Sequence, residues 1–239
     1  MAQMIFYQNI IPLDREQHRD LRVRNRPGYA PQARETHYVP LGGAEFFQAA
    51  RDYPIVFSGE GDTLGPVALL GLREGENLFL DDHDQWRGGV HLPAFVRRYP
   101  FILADNGEGS GFSIGVDEDS EVLSRAEGDP LFTDDGEYSE ALNGYIRLMQ
   151  EFYQDMQRTR ALTQRLVDLD VLVERAVEIG APDGRTFQLG GLKFVDEQRL
   201  AGLSDEQLVA LQRDGYLGRV YAHLVSVGNL QRLAADVPA

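Results

Sequence analysis

The sequence contains no cysteine among its 239 residues. This absence excludes a cysteine nucleophile, a zinc site built from thiolates and a framework of disulfide bonds. The chain also has no apolar run of about 18 residues, the length that crosses a bilayer as a helix. We therefore expect no membrane span.

Positive charge is scarce, because 23 Lys and Arg stand against 38 Asp and Glu, for a net charge of −15. Nucleic acids and anionic membrane surfaces both attract clustered basic residues, so this balance argues against either as a partner. The first residues lack a basic segment followed by a long apolar run, which argues against a secretory signal. We expect a cytoplasmic protein.

Familiar catalytic signatures are also missing. The chain has no G-x-S-x-G elbow, and its glycine-rich segments GEGDTLG and NGEGSG lack the Lys-Ser/Thr pair of a phosphate-binding loop. We therefore predict no catalytic residue and no cofactor from motifs.

What the N-terminal half does contain is short apolar runs separated by glycine turns. PIVFS, PVALLGL, FILA and FSIGV follow this pattern, which is typical of antiparallel hairpins. A short helix is expected over Gly43–Asp52, ending before Pro54, and another over His91–Arg98, ending before Pro100.

The C-terminal half has helical periodicity instead. Apolar residues from Tyr138 onward recur at spacings of three and four, and no Gly or Pro interrupts Tyr145–Ile179. The pattern predicts one long amphipathic helix, or two nearly collinear ones. A hairpin is expected over Thr186–Val195 around Gly190–Gly191. A capping box at Ser204 and Gln207 then predicts a helix, and a last helix starts near Leu217.

The predicted fold class is therefore α+β. It comprises an antiparallel sheet with hairpins in the N-terminal half and a mainly helical C-terminal half with one β-hairpin. We predict a single domain over residues 1–239, with a possible subdivision into a sheet-rich part (1–116) and a helical part (137–239). Residues 105–140 hold twelve acids and one base, and they are the best candidate for a boundary.

One stretch gathers residues that bind metals. DDHDQW contains Asp81 and His83, and His91 follows eight residues after His83. Carboxylates and imidazoles suit divalent zinc, iron or manganese, with His223 or His37 as a further ligand. Aspartate and glycine are equally what turns contain, so a plain turn is the competing interpretation.

Aromatic residues are dense between Tyr38 and Leu103. They could line an apolar groove that binds a ligand, or they could form a core. The groove candidates are Phe46, Phe47, Tyr53, Trp86, Phe95 and Tyr99.

The segment Asp14–Pro40 carries six arginines interleaved with acids. It is predicted to be a solvated connection, and an arginine-lined anion site is the alternative.

Several of these runs resemble one family. AEFFQAARDYPIVF, PVALLGL, NLFLDD and LPAFVRRYPFIL, with the opening QNIIPLDREQHRDLRV and the C-terminal run from GGLKFVDEQRL to GNLQRL, are similar to the SapC family. The chain departs from the pattern at GGVHLPAF, where His91 stands in place of an expected aromatic residue.

The resemblance implies a bacterial, surface-layer-related protein and brings no assigned catalytic residues. We predict an accessory or binding protein, more plausibly non-catalytic, that handles a peptide or partner protein in a surface-layer or peptide-modification context. The alternative is a metal-dependent oxygenase or hydrolase that uses Asp81, His83 and His91 with a divalent metal. Neither reading indicates an oligomeric state.

Overall fold

The computed structural model describes residues 5–105 and 111–238. The strands are β1 (Ile10–Pro12), β2 (Arg22–Val23), β3 (Tyr38–Pro40), β4 (Ile55–Ser58), β5 (Gly65–Leu69), β6 (Phe101–Asp105), β7 (Phe112–Asp117), β8 (Leu123–Ser124), β9 (Asp129–Pro130), β10 (Leu172–Gly180) and β11 (Thr186–Val195). The helices are α1 (Phe46–Ala49), α2 (Ala94–Arg97), α3 (Glu140–Asp168), α4 (Glu197–Ala201), α5 (Asp205–Arg213), α6 (Tyr216–Ser226) and α7 (Asn229–Asp236).

The strands form three antiparallel sheets. The largest has the order β10-β11-β4-β5-β3, and the two smaller ones have the orders β1-β7-β6 and β8-β2-β9. The predicted hairpins β4–β5 and β6–β7 are present, with Ile55 opposite Ala68 and Phe101 opposite Val116. The α+β class predicted from the sequence is confirmed.

The long helix α3 begins at an N-cap, where the Ser139 hydroxyl accepts from the backbone N–H of Leu142 at 3.2 Å. It ends at Asp168, and Asp170 follows with a φ of 53°. The prediction that this helix reaches Ile179 is wrong, because Leu172–Gly180 is strand β10 paired with β11. The C-terminal hairpin therefore turns at residues 181–185, and Gly190–Gly191 lie inside a single strand.

The main hydrophobic core combines both halves of the chain. Tyr53 and Phe57 of the N-terminal half share it with Leu162 of α3, Val220 of α6 and Leu230 of α7. A smaller core lies under the β1-β7-β6 sheet and the first part of α3.

Residues 15–24 of the arginine-rich segment lie against residues 123–137 of the acidic segment. Strand β2 pairs with β8 and β9, Arg15 pairs with Glu137, and Arg24 pairs with Glu127. The Arg24–Glu127 distance is 2.9 Å, although exposed pairs of this kind contribute little to stability. Arg22–Val23 of the first segment thus forms one small sheet with Leu123–Ser124 and Asp129–Pro130 of the second.

Within the described ranges 5–105 and 111–238, no helix combines the length and the apolarity needed to span a bilayer.

His223 of α6 joins strands β4 and β11. Lys193 faces Phe57 in the ladder, so Val195 and Ile55 are the next pair in register. The imidazole lies between them, with Nε2 accepting from Val195 N at 3.1 Å and Nδ1 donating to Ile55 O at 2.8 Å. Because a backbone N–H only donates and a carbonyl only accepts, this arrangement requires the neutral ring with its proton on Nδ1.

Two further polar side chains of the C-terminal helices satisfy the backbone near β4. The Ser226 hydroxyl accepts from Ile55 N at 2.9 Å. The Asn229 amide donates to Ala50 O and Tyr53 O at 2.8 and 3.0 Å. Buried backbone groups left unpaired are costly, so these contacts fix α6 and α7 to the start of β4.

Burial lowers the pKa of His223 to about 4, from 6.5. The unfolded chain therefore takes up this proton first as the pH falls, and the free energy of unfolding should drop between about pH 6.5 and 4 by about 3 kcal/mol. Above pH 6.5 this group should have no effect. Urea denaturation across that range measures the slope.

The variant His223→Asn keeps a donor for Ile55 O and lacks the titrating ring, so its slope in this window should be smaller. His83→Asn replaces an exposed histidine and is the matched control. An unchanged slope in His223→Asn would contradict the assignment.

Candidate functional site

Trp86 and Tyr53 form a hydrogen-bonded pair in the interior. Trp86 Nε1 donates to Tyr53 Oη at 2.9 Å, and Tyr53 donates to the carbonyl oxygen of His91. Phe79 packs on both rings, with centroid distances of 4.6 Å to Tyr53 and 6.3 Å to Trp86. Burial strongly raises the pKa of Tyr53. The pair holds the Leu78–His91 region against the core.

Phe46, Phe95 and Tyr99 are buried as well. Phe95 lies edge-on to Phe152 of α3 at 6.1 Å. Tyr99 donates to the Asp117 carboxylate at 3.1 Å, and its pKa is raised mainly by burial. Five of the six aromatic groove candidates thus have buried side chains, and two of them, Phe95 and Tyr99, also line cavities of about 220 and 290 Å³.

Asp81 and His83 lie in a turn. Asp81 Oδ1 accepts from the backbone N–H groups of His83 and Gln85 at 2.8 and 2.9 Å. These bonds lower the pKa of the Asp81 carboxyl, and the bond from Gln85 has the larger effect. The His83 side chain is exposed. Asp81 and His83 therefore form a turn, which was the alternative to a metal site in the sequence analysis.

His91 faces a different partner. Its Nε2 lies 2.8 Å from Glu45 Oε1, which also accepts from the backbone N–H of Ala94 at 2.8 Å. Glu45 therefore ties His91 to the start of α2. Within residues 5–105 and 111–238, no three His, Asp or Glu side chains are grouped so that they could hold a metal ion. The proposed ligands Asp81, His83 and His91 are not brought together.

His223 is engaged on both ring nitrogens by the backbone bonds described above. It is therefore not placed as a third ligand for His83 and His91.

Phe47 is the exception among the aromatic candidates, because it is 58% exposed. Its ring covers Gly218 of α6, where an added Cβ would lie 3.2 Å from Phe47 Cζ. Tyr221 and Val225 follow Gly218 at helical spacings of three and seven and are 54% and 74% exposed. We call these four residues the Phe47 surface.

Two exposed arginines, Arg51 and Arg232, meet just after the end of α1. Arg51 is exposed one turn after Phe47, and Arg232 donates to the Arg51 carbonyl at 3.0 Å. An apolar surface next to two arginines stands out in a chain with a net charge of −15. Tyr221 and Val225 were absent from the sequence-based candidates, since apolar residues on an amphipathic helix are normally assigned to the core.

The neighbours Phe46 and Phe47 provide a direct test of these placements. Phe46→Ala should lower the free energy of unfolding by about 3–5 kcal/mol, because it empties a core position. Phe47→Ala should lower it by less than about 1 kcal/mol, because most of that ring is already in water. Urea denaturation of the two variants measures the difference, and equal losses would show that Phe47 is a core residue.

Comparison with known proteins gives a match to a protein-family model. The SapC family model matches residues 13–233 of the chain, which include all of the Phe47 surface and the Tyr53–Trp86 pair. Neither the curated proteins nor the solved structures gave a match. Because the family model covers far more than half of the sequence, the chain belongs to the SapC family.

Proposed function

We propose that this protein is a non-catalytic accessory protein of the SapC family that binds a peptide or partner protein through the Phe47 surface. The observation that carries the proposal is the exposure of Phe47, which lies over Gly218 of α6, together with that of Tyr221 and Val225 at helical spacing from Gly218. Exposed apolar groups gathered in one patch are typical of interaction sites, and aromatic residues supply much of the binding energy at such sites.

The chemistry of the surface indicates what the partner presents. Phe47, Tyr221 and Val225 offer apolar area, and Arg51 and Arg232 offer positive charge at its edge. A segment with two or three apolar side chains and a neighbouring Asp or Glu would complement both. An acidic partner would otherwise be repelled by the overall charge of −15, so the local arginines would select its orientation.

The proposal treats residues 1–239 as one functional domain, because side chains of 1–116 and 137–239 share the main core. The Phe47 surface itself joins α1 from the first part with α6 from the second. The context we propose is the handling of peptides or surface-layer proteins, as the family resemblance implies, in the cytoplasm.

Partner capture from a bacterial lysate tests the surface when it is compared across variants. Phe47→Ala and Val225→Ser should each reduce the retained partner by about tenfold or more, the effect typical of a central contact residue. Quantitative mass spectrometry of the retained proteins gives the measurement.

Phe112→Ala is the matched control, since Phe112 is also an exposed phenylalanine, at 42%, but lies on β7. Retention should be unchanged in this variant. The proposal is wrong if no protein is lost specifically from the Phe47 and Val225 variants, or if the Phe112 variant loses the same protein.

A further inference from the structure

The Arg98 side chain is half-buried among aromatic rings. Its guanidinium carbon lies 4.3 Å from the ring centre of Phe95, 5.0 Å from that of Phe152 and 5.8 Å from that of Tyr7. Its Nε is buried with no hydrogen-bond acceptor. Among residues 5–105 and 111–238, no carboxylate pairs with this side chain.

A guanidinium that is partly withdrawn from water without a counter-ion loses part of its hydration energy. The three rings compensate through cation–π attraction, but only in part. Tyr7 does not provide the missing anion, because burial raises its pKa to about 12, so the phenol stays neutral at physiological pH. Burial also lowers the pKa of Arg98, yet an arginine remains charged at neutral pH.

Arg98 lines a cavity of about 220 Å³ between α2, β6 and α3. A second arginine, Arg160, also lines it, and Arg160 is exposed to solvent. The rest of the lining holds no carboxylate and is mostly apolar, including Leu103, Met149 and Met156. The cavity therefore offers two positive charges and an apolar wall in a chain that is strongly acidic overall.

We propose that this cavity binds a small amphiphilic carboxylate, with its carboxylate at Arg98 and Arg160 and a short apolar body against Leu103, Met149 and Met156. Carboxylates suit the fork of donors on a guanidinium, and the thioether and aliphatic side chains suit a branched or unbranched hydrocarbon group. The ligand could be a free acid or the carboxyl terminus of a peptide with an apolar last residue. The site is separate from the Phe47 surface and does not depend on the function proposed for it.

Calorimetric titration and thermal unfolding of the full chain at pH 7 test this site. The probes are 3-methylbutanoate for a free acid, acetyl-glycyl-leucine for a peptide terminus, and 3-methylbutanamide as the uncharged analogue. At least one acid should bind saturably below about 10 mM and raise the unfolding temperature, and the amide should do neither. Whichever acid binds identifies the source.

Arg98→Met removes the charge and keeps an apolar side chain among the rings, so it should weaken binding by about tenfold or more. Without ligand it should unfold close to the wild-type temperature, because no ion pair is lost and the methionine keeps apolar contact with the rings. Arg160→Met should weaken binding to a smaller extent, and it provides the test if Arg98→Met does not fold. Arg97→Met changes the neighbouring exposed arginine and should leave binding unchanged.

Three outcomes overturn the proposal. The first is that neither acid binds below about 10 mM. The second is that binding survives in the Arg98→Met variant, or in Arg160→Met where the former does not fold. The third is that the amide or inorganic phosphate binds as tightly as the acids, which would exclude an amphiphilic carboxylate as the preferred ligand.

Discussion

The neutral imidazole of His223 connects the two halves of this fold. Strands β4 and β11 come from distant parts of the sequence, and at Ile55 and Val195 their backbones are joined through the ring. A protonated ring would lose the acceptor for Val195 N–H. The junction therefore requires a neutral histidine, and burial away from water favours the neutral form. Ser226 and Asn229 satisfy the neighbouring backbone groups. The C-terminal helices therefore pack on β4 and also supply hydrogen-bond partners for the backbone at its start.

This junction determines which aromatic residues reach the surface. With α6 and α7 fixed against β4, Tyr53, Phe79 and Trp86 are buried in the main core, and the Tyr53–Trp86 hydrogen bond lies inside it. Phe47 is not buried in the core, because it lies on the outer side of α1, above Gly218. The same packing that buries most of the aromatic stretch therefore creates the exposed apolar surface where α1 meets α6.

Features that depend on neighbours in sequence could be predicted. The β4–β5 hairpin follows from two apolar runs around a glycine turn, and α5 follows from the Ser204–Gln207 capping box, which is present. Strand β10 could not be predicted from the sequence, because Val171 to Ile179 continue the helical spacing of α3 without a Gly or Pro. Its state depends on pairing with β11 and on Asp170, whose positive φ ends the helix. The split between α6 and α7 near Gly228 likewise depends on packing.

The candidate sites were less predictable, because they depend on where identical residues point. Phe46 and Phe47 are adjacent and alike, yet one is in the core and the other in water. Arg97 is exposed and Arg98, at the end of the same short helix, is half-buried, since successive helical side chains point in different directions. Among the described residues no carboxylate forms an ion pair with Arg98, and the Asp117 carboxylate is held instead by Tyr99 and by the backbone N–H groups of Gln8 and Asn9. An excess of negative charge over the whole chain is therefore compatible with a cavity that is lined by two arginines and, among the described residues, by no carboxylate.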